Sequence, residues 1–518
     1  MQAHSRSWVL RGVSVIAAGV VSLTASAALA DAVTDWNEFS VRATKGWNGA
    51  TGAGVTLDSN LSTRIEAIAA RAVFDAVNSI DRFSARGYFD VAQHDGSAAA
   101  AAAQAAHDVL LAQLPDPASD STADVRWSQT RSWLDTQLAS DLASLGVSST
   151  DGGIAAGQEA AAAANTARRL DNAAPVTAYG AALVPTANPG VGLWRQSNAG
   201  AAYVNPATNA PTGFDATGTV IQGRPGVDLN WRDVTPFSLS PRQKVALVGD
   251  VPLPLVVGSL EYVRELAYVR RRGQDTSTYR TADETAQALF YKQDAELFVN
   301  EAARLASEAR GFSLDQNAKL FALLDGVLAD ARIAAFSSKY DQKFWRPITA
   351  INADADGAVT NGYVAWRPLA ATPSHPSNTA GHSATGAAGF EVLRAVFGDH
   401  IRPDGAAVTL TTLSWLVGTN NGTGNATTRS VNTFSQAQLE NGASRVYLGV
   451  HFGFDNLQGQ LLGLRVADTI ISRSNDPAAA GVSLRESRVS AANIASTLAS
   501  RAELYGFFGA GLPAGHND

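Results

Sequence analysis

The chain has 518 residues, 46% hydrophobic and 17% charged, so it buries a sizeable core and is not a disordered polypeptide. Its formal charge of −7 excludes a basic surface for nucleic acid. With no cysteines, disulfides, thiol catalysis and thiolate metal sites are excluded, and any homo-oligomer is non-covalent.

Residues 1–30 read as a signal peptide. Arg6 and Arg11 precede the apolar run Val13 to Leu23, and Ala28-Leu29-Ala30 offers a small-residue cleavage pattern before Asp31. That run is too short to span a bilayer, and no later stretch offers the ~18 apolar residues a span needs. Loss of the segment removes two positive charges and no acids, taking the formal charge from −7 to −9. A secreted or periplasmic protein is expected, with 31–518 as a single all-α domain.

Helical periodicity dominates the rest of the chain. Leu61 to Ile80 is apolar at helical spacing, the alanine tract Ala98 to Ala106 runs into Val109 and Leu110, and Ala155 to Leu170 repeats the pattern. From Pro175 to Pro241 the texture turns to Gly, Pro, Asn and Thr with Trp194 and Trp231 as anchors, which predicts a long irregular connection over the helices. Helix resumes over Lys244 to Arg272, with a break near Pro252 and Pro254, and over Thr281 to Arg310. Ser313 and Gln316 form a capping box ahead of a buried stripe at Leu320, Leu324, Val327, Leu328 and Ala331. Ala384 to Phe397, Ala406 to Val417, Phe434 to Leu448 and Phe454 to Ser472 complete the predicted set. Packed helical bundles are the economical reading.

The chemistry gathers at about 310–475. Lys339 and Arg346 are two helical turns apart, so one helix would present both on one face, about 10.5 Å apart along its axis, before Pro347 ends it. His375 and Pro376 lead to Gly381-His382, and a glycine opening a helix offers bare N–H groups to an anion. Arg445 adds a planar fork suited to tetrahedral oxyanions. His451 and Asp455 are four apart, so the carboxylate can hold one ring nitrogen and leave the other as nucleophile or metal ligand. On an ideal helix Arg445 and His451 point about 120° apart, which requires a curled arginine or a break near Gly449.

These segments, Lys339-x6-Arg346-Pro347, Pro376-x4-Gly381-His382 and Ser444-Arg445-x5-His451, resemble the signature shared by vanadium-dependent haloperoxidases and the type-2 phosphatidic acid phosphatase superfamily. Asp35-Trp36-Asn37, the helix around Ala72 to Asn78, Gly192 to Arg195, Trp231 with Thr235-Pro236-Phe237, and Ala329-Asp330 resemble its bacterial secreted haloperoxidase branch. The resemblance implies an all-α fold of two packed four-helix bundles. Vanadate would attach through His451 Nε2, its oxygens met by Lys339, Arg346, Arg445 and the Gly381 N–H, with His382 as acid/base. Hydrogen peroxide and a halide would be the substrates and a hypohalous-acid equivalent the product; the organic acceptor is not specified. Ala380 stands where the family pattern has serine, one donor fewer, for which Ser377, Thr379, Ser383 or a water could stand in. His375 stands where bromide-type enzymes carry histidine, pointing to bromide or iodide. Phosphate suits the same pocket, so two other readings stay open. One is a secreted acid phosphatase working through a phosphohistidine at His451. The other is a non-catalytic oxyanion-binding helical protein, which Ala380 and Asn378 favour.

Overall fold

Alanine supplies both the helix propensity and the close approach that build the first half of the fold. In the computed structural model, residues 31–173, 191–194, 213–214, 220–221, 227–352, 366–411, 413, 428–473, 475–482 and 484 are described. The signal-like segment 1–30, Arg195, most of 175–226 and the end of the predicted helix at 414–417 lie outside them. Helices α1 (Ala32–Thr44), α2 (Ser59–Asp81), α3 (Ala98–Gln113), α4 (Trp127–Leu145) and α5 (Gly152–Arg168) pack around α2 and α3. Ala101, Ala102, Ala105, Ala156, Ala160 and Ala164 are fully buried, so α3 and α5 meet with little between their backbones.

The second half holds α6 (Pro241–Gly249), α7 (Leu260–Arg272), α8 (Ala282–Phe290), α9 (Ala295–Glu308), α10 (Leu314–Gln342), α11 (Pro347–Asn352), α12 (Gly381–Phe397), α13 (Phe434–Tyr447) and α14 (Gly453–Arg473). Helix α10 opens with the predicted Ser313–Gln316 capping box. It is the central element, buried on every face between Leu320 and Tyr340, and it packs against α2 and α12. Its Asp330 accepts the N–H groups of Phe237, Ser238 and Leu239, which pins the irregular segment to the core. Trp194 and Trp231 are buried, as expected of anchors.

Several expectations need correction. Val408–Thr411 is strand β1, paired antiparallel with β2 (Thr428–Val431), not part of a helix; β-branched Val408, Thr409 and Thr411 favour the extended form, and only Leu410 of β1 is buried. The stretch 281–310 is broken at 291–294 into α8 and α9. Helices α1 and α4 lay outside the predicted set. Helix α4 buries only Trp127, Thr130, Trp133 and Leu134, too short a stripe to register as periodicity. Helix α10 stops at Gln342, with Lys343 left-handed at φ 50°, so Arg346 is not on the helix that carries Lys339. Pro347 opens α11 instead of ending α10.

Helices α12 and α14 are held at near backbone contact through glycine. A Cβ on Gly463 would lie 2.1 Å from the Ala384 carbonyl oxygen. Gly463→Ala is therefore expected to destabilise the fold by about 1–3 kcal/mol, because two backbones must part. Gly249→Ala, where a Cβ meets nothing within 4 Å, should leave the urea midpoint unchanged or raise it. Equal midpoints for Gly463→Ala and the wild type would contradict this packing.

Candidate oxyanion site

Four chain segments converge on one buried group of cations and imidazoles. Lys339 sits on the last turn of α10 and Arg346 on the turn before α11, and both are 0% exposed, so the pair is no solvated surface face. Phe344 and Trp345 are buried beside them. Lys339 Nζ donates to the Pro376 and Ser377 carbonyls at 2.9 Å each. Arg346 Nε donates to the His375 carbonyl at 2.8 Å, and its Nη1 to the Val450 carbonyl at 2.8 Å.

The guanidinium also fixes two imidazoles. Arg346 Nη1 lies 3.0 Å from His451 Nε2, and Nη2 lies 2.9 Å from His375 Nδ1. Arginine can only donate, so both ring nitrogens accept. His451 then carries its proton on Nδ1, which faces Asp455 Oδ2 at 3.1 Å. The same carboxylate oxygen accepts from the Phe452 N–H at 3.1 Å and from the Ser377 hydroxyl. His451 Nε2 is thus a lone pair aimed into positive charge. Burial first, then Arg346, Lys339 and Arg445, hold its pKa well below the usual imidazole value. Burial and Arg346 likewise depress the Lys339 ammonium.

The predicted break between Arg445 and His451 is present. Helix α13 ends at Tyr447, Gly449 has φ +77°, and α14 begins at Gly453. A Cβ at Gly449 would meet the Gly273 carbonyl oxygen at 2.4 Å, so glycine serves both the turn and the close approach. His451 and Asp455 therefore meet across the start of α14 and not along a continuous helix. Glu265 caps the same start, accepting the Gly453 N–H at 2.7 Å.

Burial, seconded by Asp455, pushes Glu265 up to about 7. A carboxyl raised in the folded state contributes stability that is complete below its unfolded pKa and lost as pH rises through the folded one. The wild type should lose on the order of 3 kcal/mol between about pH 4.5 and pH 7 relative to Glu265→Gln, which keeps an acceptor oxygen for Gly453. Urea unfolding of both proteins at pH 5 and pH 8 measures this; parallel shifts would refute it.

His375, His382 and Arg445 line a cavity of about 590 Å³ together with Arg332, Lys292, Asp294 and Phe336. The His375 ring packs 5.0 Å from Phe336, so it is more than a loop residue bonded to its own backbone. His382 Nε2 lies 2.6 Å from the Gln293 carbonyl, to which it donates, leaving Nδ1 basic. Burial, then Arg445 and Arg332, keep the His382 ring neutral, against the pull of Asp294. Arg445 Nη1 reaches the Tyr291 carbonyl at 3.3 Å, and its buried Nε has no partner. Burial lowers Arg445 to about 10 and Lys292 to about 8, where both still carry charge at neutral pH.

Vanadate, the group the resemblance implies, can be tested against these residues. Gly381 opens α12, and its N-cap Ala380 provides no side-chain bond, so the first N–H groups of the helix are uncovered. A Cβ on Gly381 would point at Lys339 Cε, 3.6 Å away, and Arg332 Nη1, 3.8 Å away, so the missing side chain leaves the cationic side chains open to the backbone. Among the described residues no three His, Asp or Glu side chains gather as a cage for a bare cation would require. One imidazole lone pair amid guanidinium, ammonium and free backbone N–H donors suits a tetrahedral oxyanion. The residues fit the group. Of the stand-ins for a hydroxyl at Ala380, Ser377 is committed to Asp455, while Thr379 Oγ1 and Ser383 Oγ are buried without partners.

Sequence reasoning missed Arg332, Asp294, Lys292 and Lys45. Arg332 is seven residues before Lys339 on α10, a spacing that was readable; the other three come from helix ends with no motif around them. Lys45, at the end of α1, is fully buried and reaches Asp294 Oδ2 at 2.7 Å and Glu296 Oε1 at 3.1 Å.

Residues 319–479 match the family described as the VCPO second helical-bundle domain. A vanadium chloroperoxidase of Curvularia inaequalis is 26% identical over 228 residues, 35% of this chain, and the match spans about 37% of that relative's length. Among solved structures, a bacterial vanadium-dependent iodoperoxidase superposes with TM-score 0.58 at 18% identity, covering 85% of this chain and 95% of its own. A holo-type bacterial vanadium-dependent chloroperoxidase gives 0.56 at 16%, covering 82% and 94%. At those identities the structural likeness speaks for the helical fold. No described helix is long and apolar enough to cross a membrane. Residues 319–479 thus resemble the second helical bundle of that family, and the helical fold is shared with bacterial vanadium-dependent peroxidases.

Proposed function

We propose that the protein is a vanadate-dependent haloperoxidase that oxidises bromide or iodide with hydrogen peroxide to a hypohalous-acid equivalent. The observation that carries this reading is the tautomer of His451. Its Nε2 lone pair lies 3.0 Å from Arg346 Nη1 while Nδ1–H is anchored by Asp455. His451 Nε2 would hold vanadium, and Lys339, Arg346, Arg445 and the Gly381 N–H would hold the oxygens. Bound vanadate supplies Lewis acidity that makes hydrogen peroxide electrophilic toward halide without a change of metal oxidation state. His382 contributes a neutral ring in the cavity, and Nδ1 takes up the proton that hydrogen peroxide gives up. Three buried cations stabilise negative charge where water is largely excluded. His375, held by Arg346 and lining the cavity, supports bromide or iodide as the halide. Export is part of the proposal, supported by the charge and apolar pattern of residues 1–30.

The test is bromination of a phenolic dye with orthovanadate, bromide and peroxide, set beside p-nitrophenyl phosphate hydrolysis in vanadate-free buffer. Bromination that requires added vanadate upholds the reading. Phosphate ester hydrolysis alone replaces it with phosphatase action through His451, and anion binding without either turnover leaves an oxyanion-binding protein.

A further inference from the structure

The signature residues do not exhaust the cations around Gly381. Arg332 projects from α10 two turns before Lys339, so both lie on the same face of that helix. It is 5% exposed and lines the cavity beside Arg445 and His382. Its Nη1 lies 3.8 Å from where a Gly381 Cβ would sit, next to Lys339 Cε at 3.6 Å. Its Nε has no hydrogen-bond partner. Its ion pair is a long one, Nη2 to Glu296 Oε2 at 3.4 Å, and the other oxygen of that carboxylate is taken by Lys45 at 3.1 Å. A buried guanidinium with an open donor and a shared counter-ion is under-satisfied.

We propose that Arg332 is a fourth cation of the oxyanion pocket, binding a tetrahedral anion at the Gly381 end of α12. Glu296 holds the guanidinium by one edge and leaves the other turned to Gly381. Ala380, the N-cap, brings no hydroxyl there, so the donor at this end of the helix is Arg332. Thr379 and Ser383 are the competing donors, each a fully buried hydroxyl without a partner, and they are tested beside it.

This inference rests on reading the pocket as an oxyanion site, and the test separates the two. Dissociation constants for orthovanadate and for inorganic phosphate are measured by calorimetry on the full chain. The variants are Arg332→Met, Thr379→Val and Ser383→Ala, each checked by thermal unfolding. Arg332→Met is expected to weaken both anions about 10- to 100-fold, the worth of one charged hydrogen bond, while the two hydroxyl variants bind like the wild type. Should Arg332→Met not fold, Arg332→Gln, which can still donate to Glu296, is expected to show the same weakening. Wild-type affinity in the Arg332 variants, or a loss that falls on Thr379→Val or Ser383→Ala instead, overturns the assignment. If the wild type itself binds neither anion, the proposed function fails and the assignment goes with it.

Discussion

His451→Ala is expected to abolish vanadate-dependent halide oxidation, lowering the rate by roughly three orders of magnitude or more, while leaving the protein folded. His451 meets the cationic cluster through an Nε2 lone pair, 3.0 Å from Arg346 Nη1, with Nδ1–H held by Asp455. No other ring presents Nε2 as a lone pair, since His375 accepts through Nδ1 and His382 donates Nε2–H to the Gln293 carbonyl. The fold should survive because Arg346 keeps the Val450 and His375 carbonyls and Asp455 keeps Ser377 and the Phe452 N–H. His382→Ala makes the informative contrast. It removes proton transfer, worth roughly 10²–10⁴-fold, but should still bind orthovanadate. Measuring rate and orthovanadate binding on both variants separates the roles. A His451→Ala protein that retains wild-type turnover would refute the site outright.

How far this site could be read from the sequence depends on which residues announce themselves locally. Gly381-His382 ahead of an alanine-rich helix, and Arg445 with His451 around Gly449, are local patterns, and the structure keeps their geometry. The Lys339–Arg346 spacing misled in detail, because the turn after Gln342 is made by Lys343 in a left-handed conformation that is usually left to glycine or asparagine. The pair converges all the same, since Arg346 reaches back to the His375 carbonyl, next to the Pro376 and Ser377 carbonyls that Lys339 holds. Asp294, Glu296 and Lys45 were illegible for a different reason. Each is an isolated charge on an ordinary helix or cap, and only tertiary packing shows that water is excluded around it. The strand pair β1–β2 was lost to a similar ambiguity, in which a short apolar run fits either period.

Lys45→Met should cost about 3–5 kcal/mol of folding stability at pH 7–8, the largest effect expected of any residue outside the signature. The Lys45 ammonium is completely buried and bonds Asp294, Glu296 and, at 2.9 Å, the Ser62 hydroxyl. Burial opposes its charge, but Asp294 and Glu296 outweigh that and raise its pKa above the ordinary value. Such a raised group stabilises at every pH below its unfolded pKa, so its contribution is complete at neutrality. Burial likewise opposes ionisation of Asp294, and Lys45 outweighs it to hold the carboxyl below the usual range. A depressed carboxyl stabilises above its unfolded pKa and loses that contribution as pH falls through the folded one. In the methionine variant buried Glu296 keeps only its long Arg332 pair and half-buried Asp294 loses its nearest cation, and protonation relieves both. The deficit against the wild type should therefore shrink as pH is lowered from 8 toward 4.5, and Lys45→Arg should recover part of it. Chemical unfolding of the three proteins across that range decides the matter. A deficit independent of pH would mean that the lost interaction was packing and not the charge that ties α1 to Asp294 beside His382 and to Glu296 beneath Arg332.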